Sequence, residues 1–165
     1  MQAVTQHKVG AAEGERADFP GLRSRYVLRG SSADGRFALI EHTIPARTLA
    51  APTHVHERED EYSFVTSGRI GAQIGDEVVT AGPGELVVKP RGIPHAFWNA
   101  GDEEARLLEI ISPAGFEQYF ADLSPLLSVE GEPDFGAMAE VRARYAISMD
   151  VESIGALREA YGLEG

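Results

Sequence analysis

Between Tyr26 and Gly101 the apolar positions fall in short runs rich in β-branched and aromatic residues, not at helical spacing. The runs are Tyr26-Val27-Leu28, Phe37 to Ile44, Glu61 to Thr66, Arg69 to Ile74, Glu77 to Thr80 and Leu86-Val87-Val88. Turn-forming strings separate them: Ala33-Asp34-Gly35, Ser67-Gly68, Gly75-Asp76 and Ala81-Gly82-Pro83-Gly84. Ala105 to Ile111 adds one more run. Many short strands at close spacing predict a mainly β fold, a double-sheet sandwich or barrel.

The pattern changes at Ser112-Pro113, where a serine N-cap and a proline at the first helical position signal a helix. Phe116, Tyr119, Phe120 and Leu123 then recur at helical spacing, and Pro125 is expected to limit the run. Phe135, Met138, Val141, Arg142 and Tyr145 predict a second helix after Pro133-Asp134, and Ile154, Leu157 and Tyr161 a third. Their apolar stripes read as packing surfaces. The expected organisation is a lead-in over 1–25, a β domain over 26–111, and helices over 112–165 packed on that domain or on a second subunit. The first 18 residues are polar and aperiodic, an arm that needs something to dock on.

Composition narrows the chemistry. There is no cysteine, so any metal must be held by nitrogen and oxygen, and no thiol can serve as nucleophile. The net charge is −11 and the only lysines are Lys8 and Lys89, which speaks against nucleic acid and anionic lipid as partners. No apolar run approaches the roughly 18 to 20 residues that span a bilayer. Met1 to Gly10 holds Gln2, Gln6, His7 and Lys8 with no apolar stretch, so the expected location is cytoplasmic.

Three of the five histidines sit in two strings: His54-Val55-His56 followed by Glu61 and Gly68, and Gly84, Pro90, Gly92, His95 and Asn99. In a strand His54 and His56 leave the same face with Cα atoms roughly 7 Å apart, so two imidazoles can converge on one ion. Glu61, Ser63 and Val65 share one face of the next strand, with Tyr62 and Phe64 on the other. His95 must come from a further strand, whose face also carries Phe97 and Asn99. Glu59 and Asp60 compete with Glu61 as the acidic ligand, and the interval to Gly68 favours Glu61. His7 and His42 match neither string and read as ordinary polar residues.

The two strings resemble the paired motifs of the cupin superfamily. The second is matched in full by Gly84, Pro90, Gly92, His95 and Asn99; the first lacks only its opening glycine, replaced by Thr48. The resemblance implies a single cupin β-barrel, a jelly-roll-like double-sheet sandwich over 26–111 with a C-terminal helical extension. It also implies one divalent transition metal held by His54, His56, Glu61 and His95. Nitrogen and oxygen donors suit Fe, Mn, Ni, Cu or Zn without choosing among them; Fe is the expected metal. Ser63, Val65 and Phe97 are expected to line the pocket beside the metal.

Glu109 alternates with Ala105, Leu107 and Ile111; one phase turns it into the barrel as an acid behind the metal, the other outward. Gln73 is a further hydrogen-bonding candidate, and Trp98, opposite in phase to His95, is assigned to packing. The string Ser112 to Phe120 resembles single-domain, quercetin-dioxygenase-like small bacterial cupins of the cupin 2 type. That resemblance implies a dioxygenase-like oxidoreductase acting on a small chelating substrate. The alternatives are a non-redox metal-dependent isomerase, cyclase or lyase, and a non-catalytic binding module. The outward Tyr62 and Phe64, with the helix stripes, predict a homodimer.

Overall fold

The computed structural model describes residues 8–127 and 134–164. His7, the first part of the lead-in and Pro133 lie outside the described residues. Two antiparallel sheets form the β domain. The first contains β1 (Arg16–Phe19), β2 (Leu22–Leu28), β3 (Ala38–Ile44), β5 (Asp60–Ser67), β8 (Leu86–Lys89) and β10 (Ala105–Ser112), in the order β1-β2-β3-β10-β5-β8. The second contains β4 (Leu49–His56), β6 (Ile70–Ile74), β7 (Glu77–Ala81), β9 (His95–Asn99) and β11 (Ile147–Met149), in the order β11-β4-β9-β6-β7. Three helices follow β10: α1 (Glu117–Leu127), α2 (Phe135–Arg144) and α3 (Ser153–Tyr161). This is the expected double-sheet sandwich with a C-terminal part that carries three helices. Among the described residues no helix is long and apolar enough to cross a membrane.

Strand alternation decides what faces inward. Ala38, Ile40, His42 and Ile44 of β3, Glu61, Ser63 and Val65 of β5, and Ala105, Leu107, Glu109 and Ile111 of β10 are all buried. One end of the interior is apolar, built by Leu22, Ile44, Val65, Ile70, Phe97 and Leu107 among others. The other end gathers the histidines and acids. A second apolar cluster, including Tyr26, Ile111, Phe116, Tyr119, Leu123 and Val141, seats α1 and α2 across that polar end. Helix α3 covers the outer face of the second sheet, where the Trp98 ring stacks on Tyr161 at 4.0 Å. Trp98 is thus a packing residue, as its phase predicts.

The structure corrects the expected boundaries at three places. Only from residue 16 is the lead-in regular: β1 and β2 extend the first sheet, with Arg25 paired to Glu41 of β3 through two 3.1 Å contacts. The arginines of this segment hid its strand pattern because they occupy polar sheet positions. Ser112 does not cap a helix; it still pairs with Asp60 as a strand residue, and α1 begins only at Glu117. The Glu117 carboxylate accepts from Gly115 N at 2.5 Å and Gly30 N at 2.9 Å, tying the helix start to the barrel. Pro125 lies inside α1 and does not stop the helix at its own position. Finally the C-terminal part is not wholly helical, since β11 pairs with β4, Ile147 opposite His56 and Met149 opposite His54.

The motif glycines and asparagine have identifiable work. Gly68 has φ 73°, and a Cβ there would lie 2.7 Å from Ala105 Cα. Gly92 has φ 75° and donates its N–H to His56 O at 2.8 Å, fastening the turn before β9 to the strand carrying the histidines. Asn99 Nδ2 is shared among the carbonyls of Ile44, Pro45 and Glu103. At the departure from the motif, Thr48 Oγ1 donates to Ala46 O and the left-handed residue is its neighbour Arg47, at φ 49°.

Candidate metal centre

His54 and His56 project from β4 on the same face, and His95 stands directly across from His54 on β9. Ring centroids lie 4.3 Å apart for His54 and His95, 5.1 Å for His54 and His56, and 5.4 Å for His56 and His95. Glu61 reaches them from the opposite sheet, its Oε1 3.4 Å from His56 Nε2 and its Oε2 3.5 Å from His95 Nε2. One donor atom from each of the four lies within 4.8 Å of the others, and all four residues are buried.

In His54 and His95 the Nδ1 atom is committed, which leaves Nε2 to face the centre, while His56 Nδ1 has no hydrogen-bond partner among the described residues. His54 Nδ1 donates to Pro52 O at 2.7 Å and His95 Nδ1 to Ile93 O at 3.0 Å. Such bonds fix the tautomer and orient the ring toward an ion. Nε2 of both His56 and His95 is buried without a hydrogen-bond partner. Buried lone pairs that find no donor are rare and need a reason. A cation among three imidazoles and a carboxylate supplies one, so the donor set fits a divalent metal.

Electrostatics agree. Burial, with His95 and His56 alongside, holds His54 well below the ordinary histidine value; burial also brings His56 down to about 4. For Glu61, burial pushes its pKa up, but Lys89, His56 and His95 outweigh this and hold it well below the carboxylate range. Neutral rings and an ionised carboxylate are the protonation states a metal requires.

Lys89 is the residue that sequence reasoning missed. Its fully buried ammonium donates to Glu61 Oε2 at 2.9 Å and Glu109 Oε2 at 3.0 Å, and sits 4.5 Å from the centre of the Phe97 ring. The cross-strand register Glu61 opposite Lys89 brings the first pair together. Burial opposes the Lys89 charge, but Glu109 and Glu61 hold its pKa up. Glu109 takes the inward phase. It accepts from Ser63 Oγ at 2.8 Å through Oε2, while its Oε1 is buried and unpartnered. Burial pushes its pKa up, which Lys89 only partly offsets.

A cavity of about 300 Å³ opens from this centre and is walled by apolar side chains. His54, Glu61 and Glu109 line one part; Phe97, Phe116, Phe120 and Met138 are among those that enclose the rest. Of the expected pocket residues only Phe97 lines it. Ser63 is turned to Glu109, and Val65 packs in the apolar end of the barrel. Gln73 Nε2 donates to Gly75 O and takes no part. Glu59 is buried at 3.9 Å from His56 Nδ1, on the side away from Glu61; Asp60 pairs with Arg91 at 2.7 Å. Of the three acids, Glu61 is the one whose carboxylate is grouped with the three histidines.

His42 is not the ordinary polar residue expected. It is buried, its Nδ1 lies 2.9 Å from Ser24 Oγ, and its ring lines the cavity. The alternation of β3, apolar at 38, 40 and 44, was the available signal. Burial, helped by the Lys89 charge, pushes His42 down to about 3. The unfolded chain binds this proton near pH 6.5 and the folded one does not, so stability present above pH 6.5 is lost as pH falls toward 3. His42→Gln is expected to reduce the slope of unfolding free energy against pH, between pH 4 and 6, by about 1.4 kcal/mol per unit. Urea titrations of metal-free protein at several pH values check this; an unchanged slope would mean the ring is protonated when folded.

Residues 40–111 match the family described as Cupin domain. No curated protein sequence matches the chain. Among solved structures, KdgF from Halomonas sp. aligns with a TM-score of 0.60 at 18% identity, over 69% of this chain and 99% of that one. Streptomyces Pac13, a nucleoside dehydratase, aligns with a TM-score of 0.56 at 18% identity, over 69% and 88%. A sugar phosphate isomerase from Silicibacter pomeroyi gives 0.54 at 21% identity, over 64% and 74%. At these identities the likeness is one of fold.

Proposed function

We propose, on the match of residues 40–111 to the Cupin domain family and the shared fold, a metal-dependent oxidoreductase of dioxygenase type acting on a small chelating organic substrate. The observation that carries the reading is the cavity: apolar and aromatic along its walls, with the donor set at one end. When bound, the metal would polarise the substrate's chelating oxygens and mediate its oxidation by dioxygen.

The chain's own residues do the rest. Phe97, Phe116 and Phe120 orient an apolar substrate body and exclude water from the reacting end. Glu109 Oε1 accepts a hydrogen bond from a substrate hydroxyl. Lys89 holds one oxygen of Glu61 and leaves the other facing His56. The sparse polar lining argues against a sugar-like substrate, which would need many hydrogen-bond partners.

Glu109 supports a second reading. Its free oxygen and raised pKa supply an acid or base group for non-redox isomerase or lyase chemistry. Anaerobic purification, elemental analysis and oxygen-electrode assays with catechol- and dicarbonyl-type chelators separate the two. Iron or copper with oxygen uptake supports oxygenation; zinc or nickel without uptake supports the second reading and overturns the first.

We also propose a homodimer formed through the outer face of the first sheet. Phe64, Leu86 and Val88 are 40%, 50% and 47% exposed there, Phe64 lies opposite Leu86, and β8 is an edge strand of the sheet among the described residues. Light scattering is expected to give twice the chain mass at micromolar concentration, and Phe64→Glu with Leu86→Glu to give a monomer. A wild-type monomer would refute it.

A further inference from the structure

Two donors in the cavity wall have no hydrogen-bond partner among the described residues. Tyr119, on α1, is 4% exposed and its hydroxyl has no hydrogen-bond partner, although a buried phenol almost always finds one. Arg142, on α2, makes no ion pair and no hydrogen bond among the described residues, whereas its neighbour Arg144 pairs with Asp122 at 2.9 Å. Met138 and Arg142 lie four residues apart, on one helix face, and both line the cavity. Burial raises the Tyr119 pKa and the Arg142 charge works against that rise, so the guanidinium acts on the phenol electrostatically.

The placement of these groups relative to the metal ligands is defined by ring contacts. The Phe116 ring meets His56 edge-on at 4.2 Å and stacks on Tyr119 at 4.8 Å. One aromatic ring therefore separates the metal-facing end from the tyrosine. The cavity thus has a donor set for a cation at one end, an apolar middle, and two unpaired hydrogen-bond donors, one cationic, at the other.

We propose that Tyr119 and Arg142 form an anion-binding subsite, and that the ligand of this cavity is an apolar or aromatic carboxylate. Its acid group accepts from the Tyr119 hydroxyl and the Arg142 guanidinium, and its body lies along Phe116. A carboxylate satisfies both groups at once, with charge-assisted hydrogen bonds. A neutral ligand would leave the Arg142 charge without a counter-charge in the cavity wall. The proposal rests on the cavity being the substrate site, but not on the identity of the reaction or the metal.

Calorimetric titration with phenylbutyrate and its neutral analogue phenylbutyramide tests it, using metal-free and metal-loaded protein. The acid is expected to bind about tenfold tighter than the amide in both states. Arg142→Met is expected to abolish that preference and Tyr119→Phe to reduce it several-fold, each lowering acid affinity more than amide affinity. Because Tyr119→Phe removes only an unpartnered hydroxyl, its fold should be intact, which a thermal melt confirms. A preference that appears only with metal and survives Arg142→Met would mean that the carboxylate sits on the metal; this overturns the subsite while leaving the metal centre in place. Equal affinity for acid and amide, or no binding of either at millimolar concentration, overturns it as well.

Discussion

Lys89→Met is expected to destabilise the metal-free protein by about 3–5 kcal/mol, the loss typical when one partner of a buried ion pair is removed. The size follows from where Lys89 stands. Its ammonium is completely buried and touches a carboxylate on either side, Glu61 at 2.9 Å and Glu109 at 3.0 Å. Methionine fills a similar volume, so packing changes little; what remains is two buried acids with no cation between them. Adding Glu109→Gln removes one of those charges and is expected to recover a large part of the loss. Loading the metal is expected to shrink the deficit too, because a divalent ion beside Glu61 replaces the missing positive charge. Urea unfolding of the single and double variants, with and without metal, reads all three effects. If Lys89→Met unfolds with wild-type stability, the buried triad does not exist in solution.

Lys89 also marks the boundary between what local sequence carries and what it does not. The histidines were legible because their geometry is local: two residues apart on one strand, and a fixed turn before the third. Gly68, Gly92 and Asn99 were legible for the same reason, since each shapes a turn or loop beside its own strand. Lys89 acquires its meaning only from register, when β5 pairs with β8 and sets it opposite Glu61, and when β10 supplies Glu109 from further along the chain. A lone lysine in Leu-Val-Val-Lys reads as a strand end.

The cavity wall was illegible for a different reason. Phe116, Tyr119 and Met138 read correctly as an apolar stripe, but the stripe packs across the mouth of the barrel and also forms the ligand chamber. Burial and binding use the same residues, and periodicity cannot separate them. Strand β11 is three residues long, between two helices, too short for any period to register; yet it braces β4 beside His54 and His56. The left-handed Ala146, at φ 51°, is what ends α2 and turns the chain into that strand.

Glu61→Gln is expected to separate metal binding from folding. In the metal-free protein Glu61 and Glu109 share one lysine, so the cluster carries an excess negative charge. The glutamine variant keeps the Lys89–Glu109 pair balanced and its carbonyl can still accept from Lys89, so without metal it should lose only the part of the stability that an ionised Glu61 draws from Lys89 and the histidines. Metal affinity should fall by more than the roughly 10–100-fold that loss of an outer-shell partner costs. A wild-type protein held at a hundred times its dissociation constant gains about 2.7 kcal/mol from the ion, and the variant should lose most of that gain at the same concentration. Glu59→Gln is the necessary companion. Glu59 lies 3.9 Å from His56 Nδ1, behind the ring and away from the convergent Nε2 atoms, so its removal should weaken binding by no more than the outer-shell range. Metal-dependent thermal shifts on the two variants rank the acids directly. Should Glu59→Gln abolish the shift and Glu61→Gln preserve it, the ion would be held on the other side of His56, and the centre described here would be the wrong one.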